Sequence, residues 1–225
     1  ALEPEPCCLL ETISDTIAFF KNHLFSPSAV AELSRLTGLT AGQAEEALHR
    51  HLGVCVDACH AAVEFEDPDE VLSGLHAAGI GIAKIQLSAG LRLPRVDRDA
   101  LAALRPFAES TYLHQVVERQ GRELIRYEDL PLAFDNAGHA PGTGAEEREW
   151  RIHFHVPLFL DRLGPFENTQ PFLTRLLRLQ VEQAPTAHLE IETYTWDVLP
   201  EEYRGMPVVD AITREMQWVI GSLTQ

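Results

Sequence analysis

The sequence predicts an α/β fold built on a parallel sheet. Apolar residues make up 45% of the 225 residues and charged residues 23%, which is the composition of a globular protein. Segments with strand and helix patterns alternate along most of the chain, as they do where helices connect parallel strands. Residues 53–57 form a short apolar run that ends in a carboxylate, as expected of a strand buried on both faces.

The elements of this alternation follow from apolar spacing, caps and glycines. Gly38 ends one helical segment, and Thr40 with Gln43 forms a capping box at the start of the next. Apolar runs predict strands over residues 1–6, 53–57, 82–88, 151–156 and 188–196. Helical spacing predicts helices over residues 13–24, 28–38, 40–53, 69–78, 100–108, 169–182 and 208–223.

One region departs from the alternation. Residues 111–118 and 123–129 both have strand character, and Gln120-Gly121 lies between them, which predicts an antiparallel β-hairpin. A polar stretch with four glycine or proline residues follows at 138–144 and is interpreted as a surface loop. We therefore place an insertion at about residues 109–149 of a single domain spanning residues 1–225.

Charge and cysteine content limit the partners and the compartment. The chain has 18 lysine plus arginine residues against 34 aspartate plus glutamate, a net charge of −16. Such a surface repels phosphate backbones and anionic lipids, so we expect no nucleic-acid partner. No apolar run reaches the roughly 18 residues of a membrane span, so no membrane insertion is expected. Four cysteines are too few for a disulfide framework and favour a cytoplasmic protein with reduced thiols.

Acidic residues end several predicted strands: Glu3 or Glu5, Asp57, and Glu190 or Glu192. In a barrel of alternating strands and helices, functional groups gather at the carboxyl ends of the strands. Carboxylates buried together repel each other unless a cation compensates them. The pattern therefore favours a divalent metal site, with Mn, Zn, Mg and Co as candidate ions.

Several motifs resemble the second half of xylose-isomerase-like barrels, a superfamily of sugar isomerases, ketose epimerases and metal-dependent apurinic endonucleases. They are Leu2-Glu3-Pro4, Asp57-Ala58-Cys59-His60, Ile191-Glu192 and the segment 84–92. The resemblance implies a (β/α)8 TIM barrel, of which this chain supplies the C-terminal portion, strands 5–8, with an inserted β-hairpin. It also implies that Glu3, Asp57 and Glu192 bind the metal, and that His60 and Arg92 bind substrate.

Nearly the whole chain also resembles the EboE-like bacterial metabolite-traffic proteins, which are related to sugar-phosphate isomerases. The blocks that carry this resemblance are LEPEP, VCVDACH, KIQLS, HFHVP and EIETYTWDVLP, in chain order. This resemblance implies a second hypothesis, a non-catalytic protein that binds a metabolite and supports its export.

The fourth metal ligand is open. On the simplest alignment Gln86 replaces the metal-binding histidine of the seventh strand, and a neutral amide oxygen is the weaker ligand. His153 and His155 lie two apart on a predicted strand, so both imidazoles point to one face. We prefer His155 as the ligand, with Gln86 and His153 as alternatives.

The expected function is that of a divalent-metal-dependent isomerase or epimerase acting on a sugar-like or polyhydroxylated metabolite. Glu3 and Glu192 would remove and return a proton, and Asp57 and His155 would hold the ion. Phosphodiester hydrolysis is less favoured because of the acidic net charge of −16. Because four parallel strands cannot close a barrel, the N-terminal half of the barrel or another chain is expected to complete it.

Overall fold

A computed structural model describes residues 1–137 and 148–224 of the chain. It shows a mixed α/β fold with two sheets, one parallel and one antiparallel. The polar stretch predicted as a surface loop, residues 138–144, lies outside the described residues.

Nine strands lie in the part of the chain that the structure describes: β1 (Gly53–Asp57), β2 (Gly81–Leu87), β3 (Gly90–Leu93), β4 (Val116–Gln120), β5 (Glu123–Tyr127), β6 (Arg148–His155), β7 (Arg162–Leu163), β8 (Phe166–Asn168) and β9 (Leu189–Ile191). The α-helices in the same residues are α1 (Ile13–Phe19), α2 (Pro27–Thr37), α3 (Ala41–His51), α4 (Ala58–Val63), α5 (Pro68–Ala77), α6 (Arg98–Leu104), α7 (Leu130–Ala137), α8 (Gln170–Gln183) and α9 (Val208–Leu223). A π-helical turn, Phe20–Leu24, continues α1, and short 3₁₀ turns cover Arg105–Phe107, Thr195–Asp197 and Glu201–Tyr203.

The parallel sheet has the strand order β1-β2-β9. Asp57, the last residue of β1, pairs with Gln86 of β2, and Gln86 pairs with Glu190 of β9. An isolated parallel bridge from Leu2 to Val54 adds the start of the chain beside β1. All five residues of β1 are buried, as its apolar sequence predicts for an inner parallel strand.

The predicted (β/α)8 barrel is wrong. The second sheet is antiparallel, with the order β5-β4-β6-β3-β8-β7, and the two sheets do not close into a barrel within residues 1–137 and 148–224. β6, predicted as a parallel barrel strand, pairs antiparallel with both β3 and β4. Only Ser88 and Ala89 separate β2 from β3. A parallel crossover needs a dozen or more residues, so the chain leaves the parallel sheet here.

Two further expectations concern the architecture. The expectation that the N-terminal half of a barrel, or another chain, completes the fold was argued from the barrel, and it stays a prediction. The predicted hairpin is present, since β4 and β5 pair antiparallel around Gly121, which has φ of +59°. It is part of the second sheet through β4–β6 pairing, and is therefore not a separate excursion from a parallel barrel.

β6 has two chemically different faces. Trp150, Ile152 and Phe154 are fully buried in the apolar core, which joins both sheets and the helices packed on them. The alternate residues form the opposite, polar face of the strand: Glu149, Arg151, His153 and His155. The short helix α4 packs against β6, and Nη1 of Arg151 donates to the carbonyl of Ala62 in α4 at 2.6 Å.

Caps fix the helix boundaries near the positions that the sequence predicts. Ser26 caps α2, whose first residue is Pro27, and Gly38 ends the helix with φ of +76°. Thr40 and Gln43 form the predicted capping box of α3. Among the described residues, every helix is too short or too polar to cross a membrane.

Candidate metal centre

The carboxyl ends of the parallel strands bring the predicted acidic residues together. Each of Glu3, Asp57 and Glu192 offers a carboxylate oxygen, and these oxygens lie within 4.8 Å of one another. Glu3 follows the bridge at Leu2, Asp57 ends β1, and Glu192 directly follows β9. The backbone N–H of Glu192 donates to the carbonyl of Leu87, which continues the sheet to this point. Parallel pairing therefore positions all three groups at one edge.

Asp57 is held by the elements on both sides of it. Its side chain caps α4, because Oδ1 accepts the backbone N–H of His60 at 2.8 Å. Ser88 Oγ lies 2.8 and 2.9 Å from the two carboxylate oxygens of Asp57 and also accepts the backbone N–H of Cys59. Asp57 is 2% exposed. The carboxylate is therefore both buried and fixed in orientation.

Three buried histidines lie beside this carboxylate. His60 is in α4, and His153 and His155 are on the polar face of β6. The ring centroids of His60 and His153 are 4.5 Å apart, and those of His153 and His155 are 5.2 Å apart. Tyr194 packs its ring 4.6 Å from that of His155. The packing of α4 on β6 thus joins the histidines from the two elements.

In each histidine Nδ1 faces an oxygen atom. His60 Nδ1 lies 3.0 Å from the carbonyl oxygen of Pro4, and His155 Nδ1 lies 2.6 Å from that of Glu192. His153 Nδ1 lies 2.8 Å from Oε1 of Gln115, whose Nε2 in turn donates to Glu5. Carbonyl and amide oxygens only accept hydrogen bonds, so each Nδ1 carries the proton. In the neutral form of each imidazole, the lone pair is therefore on Nε2.

These lone pairs have no donor to bind. Nε2 of His60 and Nε2 of His153 are 3.1 Å apart, although neither carries a proton in the tautomer that the oxygens impose. Nε2 of His155 is buried and has no hydrogen-bond partner among the described residues. A buried polar atom without a partner costs free energy, and such an atom in a native protein points to an ion or water. Asp57, His60 and His155 form one of the groups whose ligand atoms could hold a cation, and such an ion would satisfy Nε2 of His155.

Burial keeps the β6 histidines neutral. It lowers the pKa of His155 to about 4, an effect that the nearby Asp57 carboxylate only partly offsets. Burial and the neighbouring histidines lower the pKa of His153 well below its usual value. Neutral imidazole is the form that binds metal ions. The two residues are therefore in their ligand form at neutral pH.

The pKa values of the three carboxylates shift in different directions, although the groups lie close together. Burial disfavours the charge on Asp57, but His60, His155 and the hydrogen bonds from His60 and Ser88 together lower its pKa. Burial, reinforced by Asp57 and Glu3, raises the pKa of Glu192 to about 7. Burial also raises the pKa of Glu3. Asp57 is thus the ionised ligand, and Glu192 exchanges its proton near neutrality.

The candidate ligands form overlapping groups of three. In each group the ligand atoms lie within 4.8 Å of one another. The groups are Glu3–Asp57–Glu192, Asp57–His60–His155, Glu5–His60–His153 and Cys59–His153–His155. Because neighbouring groups share residues, they form one continuous cluster.

Two predicted residues have other contacts. Gln86 donates its side-chain N–H to Glu192 and accepts the thiol of Cys55 at 2.5 Å, so its amide is occupied within the chain. Arg92, predicted to bind substrate, lies on β3 and donates to Glu149 and Glu167 instead. Arg92 thus belongs to a separate ion-pair network at the start of β6, whereas the histidines lie at its end.

The sequence alone assigned His60 to substrate and gave Cys59 no role as a ligand. The structure places both among the candidate ligands. Their position two and three residues after a strand-end aspartate is the signal that could have indicated this, because a helix starting there turns back over the strand end. Gln115 is the orienting residue that no sequence pattern indicated.

Comparisons with known proteins add no relative. No family model matches the chain, and neither a curated protein nor a solved structure matches it.

Proposed function

We propose that the protein is a divalent-metal-dependent enzyme that transfers a proton on a small polyhydroxylated metabolite. Asp57, His60 and His155 would hold the ion. One observation carries this proposal: the Nδ1 proton of each histidine is directed at an oxygen, so that every Nε2 lone pair lies in the buried cluster beside Asp57.

The ligand types fit a catalytic ion better than a structural one. Structural zinc sites are closed by four protein ligands, commonly with several thiolates, whereas catalytic sites use histidine and carboxylate ligands and leave a position open. Imidazole with carboxylate suits Zn, Co, Fe or Mn. Hydrogen bonds from Nδ1 to fixed oxygens orient the rings and increase their basicity, as outer ligands do in known metal sites.

The cluster also contains groups that can move protons. A bound ion would act as a Lewis acid toward the oxygens of the metabolite. Glu192 lies beside Asp57 and has a pKa of about 7, so it can accept and return a proton at neutral pH. Glu3, which is 35% exposed at its side chain, lies on the solvent side of the same group and can donate the second proton. Tyr194 forms an aromatic wall against His155.

Metal content and hydrogen exchange test the proposal. Purified protein incubated with MnCl₂ and desalted is expected to hold about one Mn²⁺ per chain, as metal-assisted sites of this type do. His155→Ala is expected to lose this metal, whereas His188→Ala, which changes an exposed histidine, is expected to retain it. In D₂O with dihydroxyacetone as the probe, the loaded protein should exchange carbon-bound hydrogen for deuterium, measured by NMR. Equal metal in wild type and His155→Ala would refute the metal site.

A second candidate, a protein that binds a metabolite without transforming it, is favoured by one contact. Gln86 hydrogen-bonds the carboxylate of Glu192, the proposed proton acceptor, and so ties it within the chain. The exchange experiment separates the two candidates. Metal-loaded protein that gives no deuterium exchange, in wild type and in Gln86→Ala alike, would favour binding without catalysis.

We also propose a cytoplasmic location, which rests on thiol chemistry. All four cysteines are free, and two of them, Cys55 and Cys59, are buried beside the cluster. Thiols near a metal centre persist where the compartment is reducing. Thiol titration of protein taken directly from cells should therefore count four reactive groups after unfolding. Recovery of a disulfide in that sample would contradict the location.

A further inference from the structure

Cys59 gives the metal cluster a second kind of ligand. Its thiol sulfur lies within 4.8 Å of ligand atoms on His153 and His155. The residue is fully buried, and its backbone is fixed by the hydrogen bond from its N–H to Ser88 Oγ. The opposing position on β3 is Gly90, where a Cβ atom would come within 2.9 Å of the sulfur. The absence of that side chain leaves room for the thiol beside the histidines.

The group that contains Cys59 shares a nitrogen with the group that contains Asp57. His155 belongs to both groups, and its Nδ1 is occupied by the carbonyl of Glu192. Only Nε2 has a lone pair, and a single lone pair binds a single ion. An ion held by Cys59 and His155 therefore excludes an ion held by Asp57 and His155.

The two groups prefer different ions. Asp57 and His60 supply a carboxylate oxygen and an imidazole, which suit Mn²⁺, whereas thiolate selects soft, thiophilic ions. We infer that Cys59, His153 and His155 form an alternative position for thiophilic ions, and that its occupation expels the hard ion from the position containing Asp57. The inference rests on the proposed metal site. As the sulfur binds, its proton leaves to solvent and the thiolate becomes the ligand.

Displacement of Mn²⁺ by Cd²⁺ tests this inference. Protein loaded with Mn²⁺ is titrated with CdCl₂, while EPR records the Mn²⁺ released to solution and ultraviolet absorption records the thiolate-to-cadmium charge-transfer band. In the wild type we expect the band and the released Mn²⁺ to rise together with one Cd²⁺ bound per chain. In Cys59→Ser we expect no band, and at least about tenfold more Cd²⁺ should be needed to release Mn²⁺, as for other losses of metal-site support.

Matched variants keep the result interpretable. Cys55→Ser changes another buried cysteine, which hydrogen-bonds Gln86, and should behave as wild type. Cys59→Ala serves as the second variant, and circular dichroism of both variants with Mn²⁺ bound checks that they fold. A charge-transfer band that rises while Mn²⁺ stays bound would overturn the inference, since the positions would then not exclude each other. Displacement without a band, or equal displacement in Cys59→Ser, would also overturn it.

The two proposals fail in distinguishable ways. If wild-type protein binds no Mn²⁺ before any Cd²⁺ is added, the proposed metal site itself is wrong. If Mn²⁺ binds normally and Cys59→Ser changes nothing, the site stands and only the role of Cys59 is lost.

Discussion

The polar face of β6 carries two clusters of polar side chains, and the buried groups in the two clusters are compensated in different ways. At the start of the strand, Glu149 accepts hydrogen bonds from Arg92, Arg119 and Arg151. Although burial opposes ionisation, the bonds from Arg92 and Arg151 lower the pKa of Glu149 to about 2. This cluster, which we call the Glu149 network, has charges of both signs within the chain.

At the end of the same strand, His153 and His155 lack such partners. Nε2 of His153 faces Nε2 of His60, and Nε2 of His155 has no hydrogen-bond partner among the described residues. Glu149, His153 and His155 are all buried, so exposure of these side chains does not explain the difference. A cluster completed within the chain supports the fold, whereas one with unsatisfied buried nitrogens favours binding of a cation.

Breaking the Glu149 network should have the largest effect on stability. Glu149→Gln removes the buried anion that the three arginines share, and loss of one partner of a buried ion pair costs about 3 kcal/mol in free energy of unfolding. Urea unfolding measures this difference. The control, Glu123→Gln, changes an exposed carboxylate of β5 and should lie close to wild type. Equal stability of the two variants would show that the network is dispensable.

The same network predicts an acid dependence. A carboxylate with a pKa lowered to about 2 contributes stability above its unfolded pKa of about 4.3, and the contribution is lost as pH falls toward 2. The stability difference between wild type and Glu149→Gln should therefore shrink between about pH 4.3 and 2. A difference that stays constant over this range would assign the effect to packing.

Binding of a divalent cation should stabilise the histidine cluster at the end of β6. A ligand that binds only the folded state at 100 times its Kd adds about 2.7 kcal/mol. We expect MnCl₂ to raise the free energy of unfolding of wild type by this order and to leave His155→Ala unchanged. Calorimetry with and without Mn²⁺ measures it, with His188→Ala as the matched variant. Stabilisation of His155→Ala to the same extent would place the ion elsewhere.

Acid should weaken the histidine cluster in a higher pH range than the Glu149 network. The pKa of His155 falls from its usual value near 6.5 to about 4 on folding, so the unfolded chain binds a proton that the folded chain does not. Stability is then complete above about pH 6.5 and is lost as pH falls toward 4, by about 3 kcal/mol. Metal-free wild type should show this loss in urea unfolding. In His155→Ala the loss should be smaller, and an identical pH profile would contradict the assignment.

The sequence predicted the ends of the parallel strands better than the architecture around them. Asp57 and Glu192 could be placed because an acidic residue after a short apolar run indicates a strand end, and parallel pairing brings such ends together. The direction of β6 could not be placed, because residues 151–156 have the same apolar pattern in a parallel or an antiparallel strand. The connection of only two residues between β2 and β3 is what takes the chain out of the parallel sheet, and β6 then pairs antiparallel with β3.

Ligand identity was also only partly predictable. His155 was selected from its spacing, but the tautomer that makes it a ligand depends on the backbone carbonyl of Glu192. His60 likewise depends on the carbonyl of Pro4. Backbone oxygens have no residue signature, so these contacts are visible only in the folded chain. The ion pair of Arg92 could not be predicted either, because its partner Glu149 lies 57 residues away in sequence.

The smallest expected effect concerns the orientation of Asp57. Ser88 Oγ donates to the Asp57 carboxylate, and Ser88 is fully buried. In Ser88→Ala the carboxylate keeps the N–H of His60 but loses the hydroxyl, so it is less well oriented toward an ion. Loss of an outer hydrogen bond of this kind lowers metal affinity by about tenfold, or about 1.4 kcal/mol.

Isothermal titration with MnCl₂ measures the Ser88→Ala effect, and Ser73→Ala, an exposed serine of α5, is the matched control. Ser88 does not hydrogen-bond Glu149, so Ser88→Ala should leave the stability of the Glu149 network unchanged. In urea unfolding without metal, the variant should therefore lose stability between about pH 4.3 and 2 as wild type does. Unchanged Mn²⁺ affinity in Ser88→Ala would show that α4 alone orients Asp57. A weaker affinity with unchanged acid unfolding would show that the two ends of β6 act independently, one supporting the fold and the other the ion.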